Sequence, residues 1–475
     1  MKRIENETID IIKKIDLSKI NPTNDPAIEA TVNLLVNIIE KLYSEVVDLR
    51  QEIQSCKNEI STLKGEKGKP NIKPPSKNDK DDNINPPQRK SWSKGSKIDK
   101  INIDREETIK IDRNSLPSDA QFKGYEEIII QELIIKTDNV LYKCEKFYSP
   151  SEKKTYIAQL PNELKDTEFG PNIKALTAVL YFDYRITENK LKSLFNEFGI
   201  YISEGTISNI LINEKVDVLT KDKSDIYTAG LNSTSYQQTD DTGLRVAGKN
   251  HYVQIMCNPF YSAFFINQKK NRETAQKVVN NGLDTPVFKT IISDDAGQFD
   301  KITDKRGLCW VHEFRHYKKL RPIFIKDIEI LKAFKSQIKE YYEKLKAYKL
   351  NPCEELSQSL SDEFDELFSQ ITGYDILDER IELTKAKKSQ LLLVLEFPEI
   401  PLHNNLSENG VREFVVKRKI SSGTKNQKGS TAWENYMTIS ATCKKLKVSF
   451  YQYVKGIFMG NTDYTRLATL ITQKT

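Results

Sequence analysis

Apolar residues recur at every seventh position over residues 28–64. One set is Val32, Ile39, Val46, Ile53 and Ile60, and a second set is Leu35, Leu42, Leu49, Cys56 and Leu63. β-Branched residues in the first set, with leucine at most positions of the second, are typical of a parallel two-stranded coiled coil. We therefore predict an N-terminal helix and coiled coil within residues 1–64 that makes the protein at least a dimer. The alternative is a long amphipathic helix packed on its own domain.

The pattern changes twice before the centre of the chain. Residues 65–105 contain few apolar side chains and many Lys, Pro, Asn, Asp and Ser, which predicts a basic, flexible linker. Apolar runs over 127–135 and 140–144 predict strands within a small strand-rich region, 106–170. Cys144 has no second cysteine within loop distance, so we expect no zinc knuckle there.

Residues 171–230 have helical periodicity. Two short helical segments, opened by the capping residues Thr187 and Ser203, flank a break at Gly199. This arrangement is typical of a helix-turn-helix, although other helical domains can show it. If the region binds DNA, the polar side chains of its second helix would contact base edges; these are Glu204, Thr206, Ser208 and Asn209.

From Tyr236 onward, apolar and polar residues alternate along the chain, the pattern of β-strands. Strands are predicted over 236–240, 251–257, 262–266, 287–292 and 307–310, with helices over 271–281 and from about residue 312. This order, within residues 231–322, matches a ribonuclease-H-like fold, an α/β fold in which helices flank a mixed sheet. The first and fourth strands are neighbours in that fold, and in this sequence they end at Asp240 and Asp294.

Carboxylates at neighbouring strand ends, joined by a third from a helix, form an all-oxygen pocket suited to Mg²⁺ or Mn²⁺. Two such ions can align the attacking and leaving oxygens of a phosphodiester. Each predicted site is an Asp-Asp pair, 240/241 and 294/295, and only one residue of each pair can face the ions while the strand stays extended. Carboxylates that simply end strands in turns are the alternative.

A third acid, Glu408, lies near the start of a predicted helix that Asn404 or Asn405 would cap. Arg412, four residues later, is expected on the same helix face.

Charge is distributed unevenly. The chain carries a net charge of +6, but residues 64–100 alone have 11 basic and 5 acidic side chains, and residues 411–475 have 12 and 3. Such segregation is typical of proteins that bind nucleic acid, and a solubilising surface is the alternative. We expect Lys417, Arg418 and Lys419 to contact DNA phosphates. No apolar run reaches 18 residues, and the six scattered cysteines form no CxxC pair, so we expect no membrane span and a reducing cytoplasm.

Several short blocks, taken in order, resemble the transposases of the insertion-sequence 66 family. They are Thr239–Arg245, Ser293–Asp294, Cys309–Arg315 and Asn404–Arg412, with Lys417–Lys419 and Ser430–Ala432 further on. The resemblance covers residues 130–458. Two positions depart from the family pattern: Asp241 stands where relatives usually have Glu, and Asp295 where they have Gly.

The resemblance implies a DDE transposase, which cuts the ends of an insertion element and joins them to target DNA. It assigns Asp240, Asp294 and Glu408 as the catalytic triad and ligands of two Mg²⁺ (or Mn²⁺) ions. It also implies terminal-repeat and target DNA as partners, possible accessory proteins encoded by the element, and a bacterial, nucleoid-associated location. Asp241, Asp295, His312, Arg315 and Arg412 are the residues expected around the triad or near the scissile phosphate.

The separation between Asp294 and Glu408 is long for this fold, and helical periodicity over 323–398 predicts an inserted helical domain. Residues 399–475 would then complete the core with the Glu408 helix and a basic tail. Cys309 and His312 form a CxxH pair, but the chain has only 4 histidines and no second pair, so we predict no zinc site. Cys309 is expected in a buried strand, and a purely structural role for His312 stays open.

Two other functions fit the sequence. One is a non-catalytic, dimeric helix-turn-helix protein, either a regulator or a decayed transposase. The other is a ribonuclease-H-like nuclease that cuts DNA without joining it.

Overall fold

The structure is a computed structural model that describes residues 25–63, 102–112, 116–117, 119–161, 164–165, 167–282, 290–460 and 465–474. Residues 1–24, most of the predicted linker (64–101) and the first part of the predicted fourth strand (287–289) lie outside the described residues. Two compact units are present, one within Met1–Leu49 and Asn139–Thr475 and the other within Arg50–Asp138. Within the described ranges, no helix combines the length and apolar character that a membrane crossing requires.

The predicted N-terminal helix is present as α1, Pro26–Leu63. Val36 is buried against Ile323 and Phe324, with Val32 and Tyr43 packed around them. The buried carboxylate of Glu40 accepts hydrogen bonds from the backbone N–H groups of Ile323, at 2.7 Å, and Phe324, at 3.1 Å. One face of the N-terminal half of α1 therefore packs against a later segment of the same chain, at Ile323 and Phe324.

The strands predicted over 127–135 and 140–144 are absent. Ile128, Ile130 and Leu133 are exposed, and no strand is present from residue 119 to Glu145. The hairpin of this region comes later, with β1 (Lys146–Ser149) paired antiparallel to β2 (Lys154–Ile157). An apolar run becomes a strand only where another strand satisfies its backbone groups, and the sequence does not show whether that partner exists.

Four helices precede the large sheet: α2 (Pro171–Phe182), α3 (Glu188–Glu197), α4 (Glu204–Ile212) and α5 (Val216–Leu231). The two helices predicted around Gly199 are thus α3 and α4, and Gly199 adopts a positive φ of 74° at the turn between them. Ser203 caps α4, because its side chain accepts a hydrogen bond from Thr206 N at 3.0 Å. The apolar faces of these helices enter the main core of the protein.

The five-stranded sheet has the order β5-β4-β3-β6-β7. Its strands are β3 (Tyr236–Val246), β4 (Lys249–Cys257), β5 (Ser262–Asn267), β6 (Thr290–Ser293) and β7 (Arg306–Leu308). β3, β4 and β5 form an antiparallel meander, whereas β6 is parallel to both β3 and β7. Helix α6 (Arg272–Val279) and a 3₁₀ turn (Gly297–Phe299) precede and follow β6. The prediction of a mixed sheet in an α/β protein is confirmed.

Helices occupy the range predicted as an insertion, 323–398. After α7 (Trp310–Lys319), the helices are α8 (Ile325–Tyr348), α9 (Glu354–Leu367), α10 (Asp375–Lys385), α11 (Lys388–Leu391) and α12 (Leu393–Glu396). They form a second core around Trp310 that also takes in Ile292 of β6, whereas Ile291 belongs to the main core. Adjacent residues of β6 thus face different cores, as the alternation of a strand requires.

Four C-terminal helices complete the protein: α13 (Asn405–Ser421), α14 (Gln427–Leu446), α15 (Phe450–Met459) and α16 (Leu467–Gln473). α14 lies along β5, where the Thr438 hydroxyl accepts a hydrogen bond from Phe264 N at 3.1 Å. The buried Asp222 of α5 accepts hydrogen bonds from the Tyr453 hydroxyl, at 2.8 and 2.9 Å, and from Arg466. These bonds attach the end of the chain to the main core.

Candidate active site

Asp240 lies on β3, and Asp294 directly follows β6, the adjacent parallel strand. The register pairs Gln238 of β3 with Ile292 of β6, so a continuation by two residues places Asp240 beside Asp294. The expectation that Asp240 ends its strand is wrong, because β3 continues to Val246 and Asp240 pairs with Ile255 of β4. The pairing of β3 with β6 ends at Gln238, two residues before Asp240.

Asp240 is in a half-buried, negatively charged environment. Burial is the main cause that raises the pKa of its carboxyl group to about 7, and the neighbouring carboxylates of Asp294, Asp241 and Glu408 contribute to the same shift. The backbone N–H of Asp241 donates a hydrogen bond to Asp240 Oδ1 at 2.8 Å and opposes this shift. Three acids from different elements therefore influence one another here.

Asp241 and Asp295 have cationic partners instead. The two carboxylate oxygens of Asp241 accept hydrogen bonds from Lys270, at 2.8 Å, and Gln298, at 2.6 Å. Asp295 forms an ion pair with Lys387. In each Asp-Asp pair, the negative charge of the second acid is thus already neutralised by a lysine.

Arg306 organises the turn that carries Asp294. Its side chain is buried and donates hydrogen bonds to Ser293 Oγ at 3.0 Å and to the Asp294 carbonyl oxygen at 2.7 Å. Asp294 Oδ1 in turn accepts a hydrogen bond from Ala296 N at 3.3 Å. Sequence analysis missed Arg306, and its one visible signal is a charged residue inside a short buried strand.

Glu408 lies in the first turn of α13, which is seated on β3 and β4. Leu406 N donates to Gln238 Oε1 at 3.1 Å, and Ser407 Oγ donates to the Thr239 carbonyl oxygen at 3.4 Å. Gly410 allows the close approach, since a Cβ atom there would lie 2.2 Å from Ile255 Cδ1. The helix start is Asn404, one of the two predicted caps, although its side chain makes no capping hydrogen bond.

Glu408 contacts two of the residues predicted near the site. Arg315 Nη1 and Nη2 donate to its two carboxylate oxygens at 3.3 and 3.2 Å, and His312 Nδ1 lies 3.5 Å from Oε1. Arg315 Nη1 also lies 2.8 Å from His312 Nε2. Burial lowers the pKa of His312, and the charge of Arg315 lowers it further. Arg412, one turn further along α13, is exposed.

Cys309, which directly follows β7, also lies close to Glu408. It is buried and forms the N-cap of α7, rather than lying in a strand as expected. Trp310 N donates to the Leu402 carbonyl oxygen at 3.0 Å, and Asn404 N donates to Cys309 Sγ at 3.4 Å. These bonds bring the start of α7 and the start of α13 together.

The predicted DNA contacts divide into exposed and buried residues. Asn209 and Lys419 are exposed, and Thr206 and Ser208 are partly buried. Arg418 donates hydrogen bonds to Thr242 Oγ1, at 3.1 Å, and to the Gly243 carbonyl oxygen.

The prediction that Lys417 contacts phosphate is wrong. Its side chain is buried, and its ammonium group donates to the Tyr181 carbonyl oxygen at 2.8 Å. The ammonium nitrogen lies 3.5 Å from the centre of the Tyr181 ring and 5.3 Å from that of Trp433. A count of charges along the sequence does not reveal that the helix turns this lysine into the core.

Comparison with known proteins identifies relatives. Residues 166–432, more than half of the chain, match the family described as Transposase IS66 family. An uncharacterized protein of Sinorhizobium fredii, y4jO, is 40% identical over 164 residues, which is 34% of this chain and 50% of that protein. The chain thus spans about half the length of this curated relative. The family match includes Asp240, Asp294 and Glu408 together with the helices that precede the sheet, and it shows that the chain belongs to the IS66 transposase family.

Proposed function

We propose that this protein is a DDE transposase that cuts the ends of an insertion element and joins them to target DNA. The family match supports a transposase in general. The reaction itself is inferred from the convergence of Asp240, Asp294 and Glu408, which come from two parallel strands and the helix seated on them. The order of the sheet, an antiparallel meander followed by two parallel strands, is compatible with the ribonuclease-H-like core that this mechanism uses.

The difference between the acids in each pair carries the proposal. Asp241 and Asp295 are compensated by lysines, whereas the Asp240 carboxylate receives a backbone hydrogen bond and faces other carboxylates. A half-buried carboxyl group with a pKa raised to about 7 is a place where a cation is favoured. Arg315 pairs with Glu408, but Asp240 faces the other carboxylates without a lysine of its own, so a cation bound beside it would be stabilised.

The residues present fit divalent metal ions with oxygen ligands. Asp240, Asp294 and Glu408 would hold two Mg²⁺ or Mn²⁺ ions, which supply charge neutralisation and activation of the attacking oxygen at a phosphodiester. The protein's own contribution is positioning. Arg306 fixes the turn after β6, and the hydrogen bonds of Leu406 and Ser407 fix the start of α13 on β3.

Basic side chains near Glu408 suit a phosphate. Arg315 has a guanidinium group bound to Glu408 in this structure, and Arg412 is exposed one turn further along α13. Either side chain could contact a phosphate of DNA that enters the site. α3 and α4 are proposed as a helix-turn-helix that contacts bases through Thr206, Ser208 and Asn209.

Self-association would hold two element ends in one complex. The face of α1 that packs on its own chain contains Val36 and Glu40, whereas Leu35, Leu42 and Leu49 of the heptad seam are 53–56% exposed. Val32 of the seam takes part in the internal contacts, so a second copy of α1 would use the seam from Leu35 onward. On this basis we propose that the heptads form a coiled-coil dimer.

Five single substitutions test the reaction. In Mg²⁺, Asp240→Asn, Asp294→Asn and Glu408→Gln should abolish cleavage and joining of a labelled element end. Asp241→Asn and Asp295→Asn should retain activity, because these acids are compensated by Lys270 and Lys387. A gel of cleaved and joined products measures both steps, and a parallel titration should show DNA binding retained in all five.

Each result separates the candidate functions. Activity in all three triad variants would exclude the DDE mechanism and favour a DNA-binding regulator. Cleavage without joining, when a pre-cut 3′-hydroxyl end and a target plasmid are supplied, would favour the nuclease. If Asp295→Asn is inactive and Asp294→Asn is active, the second acid of the triad would be Asp295 instead of Asp294.

A further inference from the structure

Three metal-binding side chains, one of them from the triad, meet at the start of α7. Cys309 Sγ, a ring nitrogen of His312 and a carboxylate oxygen of Glu408 all lie within 4.8 Å of one another. The cluster combines sulfur, nitrogen and oxygen. Zn²⁺ and related transition metals accept this donor set, whereas Mg²⁺ prefers oxygen alone.

The spacing is close to that of a metal site. His312 Nδ1 and Glu408 Oε1 are 3.5 Å apart, close to the separation of roughly 3.3 to 3.5 Å between two ligands of a tetrahedral zinc ion. Because all three atoms lie within 4.8 Å, closing the remaining distance needs a side-chain movement of roughly 1 Å.

Burial raises the pKa of the Cys309 thiol, and backbone N–H groups that point to the sulfur oppose this shift. Asn404 N donates to Sγ at 3.4 Å, and the backbone N–H groups of Val311 and His312 also point to it. N–H groups at a helix N-terminus stabilise a thiolate, and a bound metal displaces the thiol proton to solvent. His312 Nδ1 is buried and has no hydrogen-bond partner among the described residues. A metal bound at His312 Nδ1 would therefore displace no hydrogen bond of that atom.

We propose that Cys309, His312 and Glu408 form a binding site for a transition metal such as Zn²⁺, separate from the Mg²⁺ ligands Asp240 and Asp294. Three protein ligands leave a fourth position for water or a substrate oxygen. The sequence alone predicts no zinc site, because the CxxH pair supplies two ligands and the third comes from a distant helix that only the fold brings close.

Arg315 competes with the metal. Its guanidinium group occupies both oxygens of Glu408 and donates to His312 Nε2. Because arginine cannot accept a hydrogen bond, a neutral His312 in this arrangement carries its proton on Nδ1, as inferred from the hydrogen-bond pattern. Metal binding at Nδ1 requires the other tautomer, so Arg315 has to withdraw. Removal of Arg315 should therefore strengthen metal binding.

Glu408 links the site to catalysis. A carboxylate bound to Zn²⁺ beside Cys309 is not free to complete the triad, so Zn²⁺ should inhibit cleavage in the presence of Mg²⁺. This consequence rests on the proposed function, whereas the binding of the metal does not.

Titration of the metal-free full-length protein with Co²⁺ tests the binding directly. We expect the ultraviolet charge-transfer band of a thiolate–cobalt bond, at one ion per chain, and competition by Zn²⁺. Cys309→Ser should remove the band, and His312→Gln and Glu408→Gln should each weaken binding by about tenfold or more. Arg315→Gln should bind more tightly than the wild type. The control is Cys443→Ser, which changes another buried cysteine and should leave the band unchanged.

These cobalt titrations test the proposed metal site in the absence of DNA. A band that survives in Cys309→Ser, or the absence of a band in both the wild type and Arg315→Gln, would overturn the proposal. His312 is partly exposed, so His312→Gln should fold even if Cys309→Ser does not, and unchanged cobalt affinity in His312→Gln would also overturn it. A failure of the wild type to cleave DNA would count against the proposed function alone.

Discussion

Burial changes the role of individual charged residues in this protein. Lys417 belongs to a basic run of three, yet its ammonium group lies among Tyr181, Phe182 and Trp433 instead of in solvent. Burial lowers its pKa to about 7, an effect that the carboxylate of Glu188 opposes. The same physical effect raises the pKa of Asp240 to about 7. Both groups are poorly solvated, but one is enclosed by aromatic rings and the other faces carboxylates.

Lys417 should make stability depend on pH in the alkaline range. Its pKa is about 7 in the folded protein and 10.5 for an unperturbed lysine, so between these values the unfolded chain binds more protons than the folded one. The free energy of unfolding should therefore rise with pH by up to about 1.4 kcal/mol per unit, an increment that is absent below the folded pKa.

Urea unfolding of Lys417→Met across that pH window measures the effect. The methionine fills the same space and cannot titrate, so this increment should disappear from its stability profile. Lys419→Met is the matched control, because Lys419 is exposed two residues later and its loss should leave the profile unchanged. Equal pH profiles in Lys417→Met and the wild type would show that the lysine stays charged in the folded protein.

At the scale of elements, α1 has an internal contact on one face and exposed heptad positions elsewhere. Val36, Glu40 and Tyr43 occupy the face that meets the start of α8, where the Glu40 carboxylate accepts the N–H groups of Ile323 and Phe324. Burial raises the pKa of Glu40, and the two backbone hydrogen bonds oppose the shift. The seam residues from Leu35 to Ile60 are exposed.

Polar residues in the seam should dissociate the protein. Leu42→Gln and Leu49→Gln together remove two apolar contacts from each helix of the proposed coiled coil, so light scattering should show the mass of a single chain instead of a dimer. Glu45→Gln, an exposed change on the same helix, should leave the mass unchanged. A dimer that persists after both leucine changes would mean that another surface holds the copies together.

At the scale of the whole molecule, basic charge is concentrated toward the C-terminus, but only part of it is available to a partner. Lys417 is buried and Arg418 is bound to β3, whereas Lys419 and Lys425 are exposed at the end of α13 and just after it. Lys425 also influences the pKa of Glu188 at the start of α3. Lys425 is therefore near the proposed helix-turn-helix.

Exposed lysines and polar residues of α4 should affect DNA binding differently. Lys419→Gln with Lys425→Gln should weaken binding to all sequences alike and lower the slope of log K against log salt by about 0.9 for each phosphate that the variant no longer neutralises. Thr206→Ala and Asn209→Ala should reduce the preference for element ends more than the total affinity. Binding titrations with element-end and unrelated DNA at several salt concentrations compare the two. Weaker binding confined to element-end DNA in the lysine variants would contradict this division.

Local patterns predicted much of this architecture. The sequence showed α1 by its heptads, α3 and α4 by their caps, the meander β3–β5 by alternation, and the insertion by its helical period, with boundaries that differ by a few residues. These features depend on neighbouring residues in the chain, so a single sequence contains them. The strands expected over 127–144 failed because a strand also needs a partner, which local sequence does not specify.

For the candidate site, the sequence by itself determined the residue types and their order: Asp-Asp, Asp-Asp, CxxH, and the Asn-Asn helix start that precedes Glu408. Only the tertiary structure decided which acids have cationic partners, that Arg306 supports Asp294, and that Arg315 and Cys309 converge on Glu408. It also placed Lys417 in the core. The physical reason is that pairing, burial and pKa depend on distances between residues far apart in the chain, and those distances exist only once the sheet and its helices have packed.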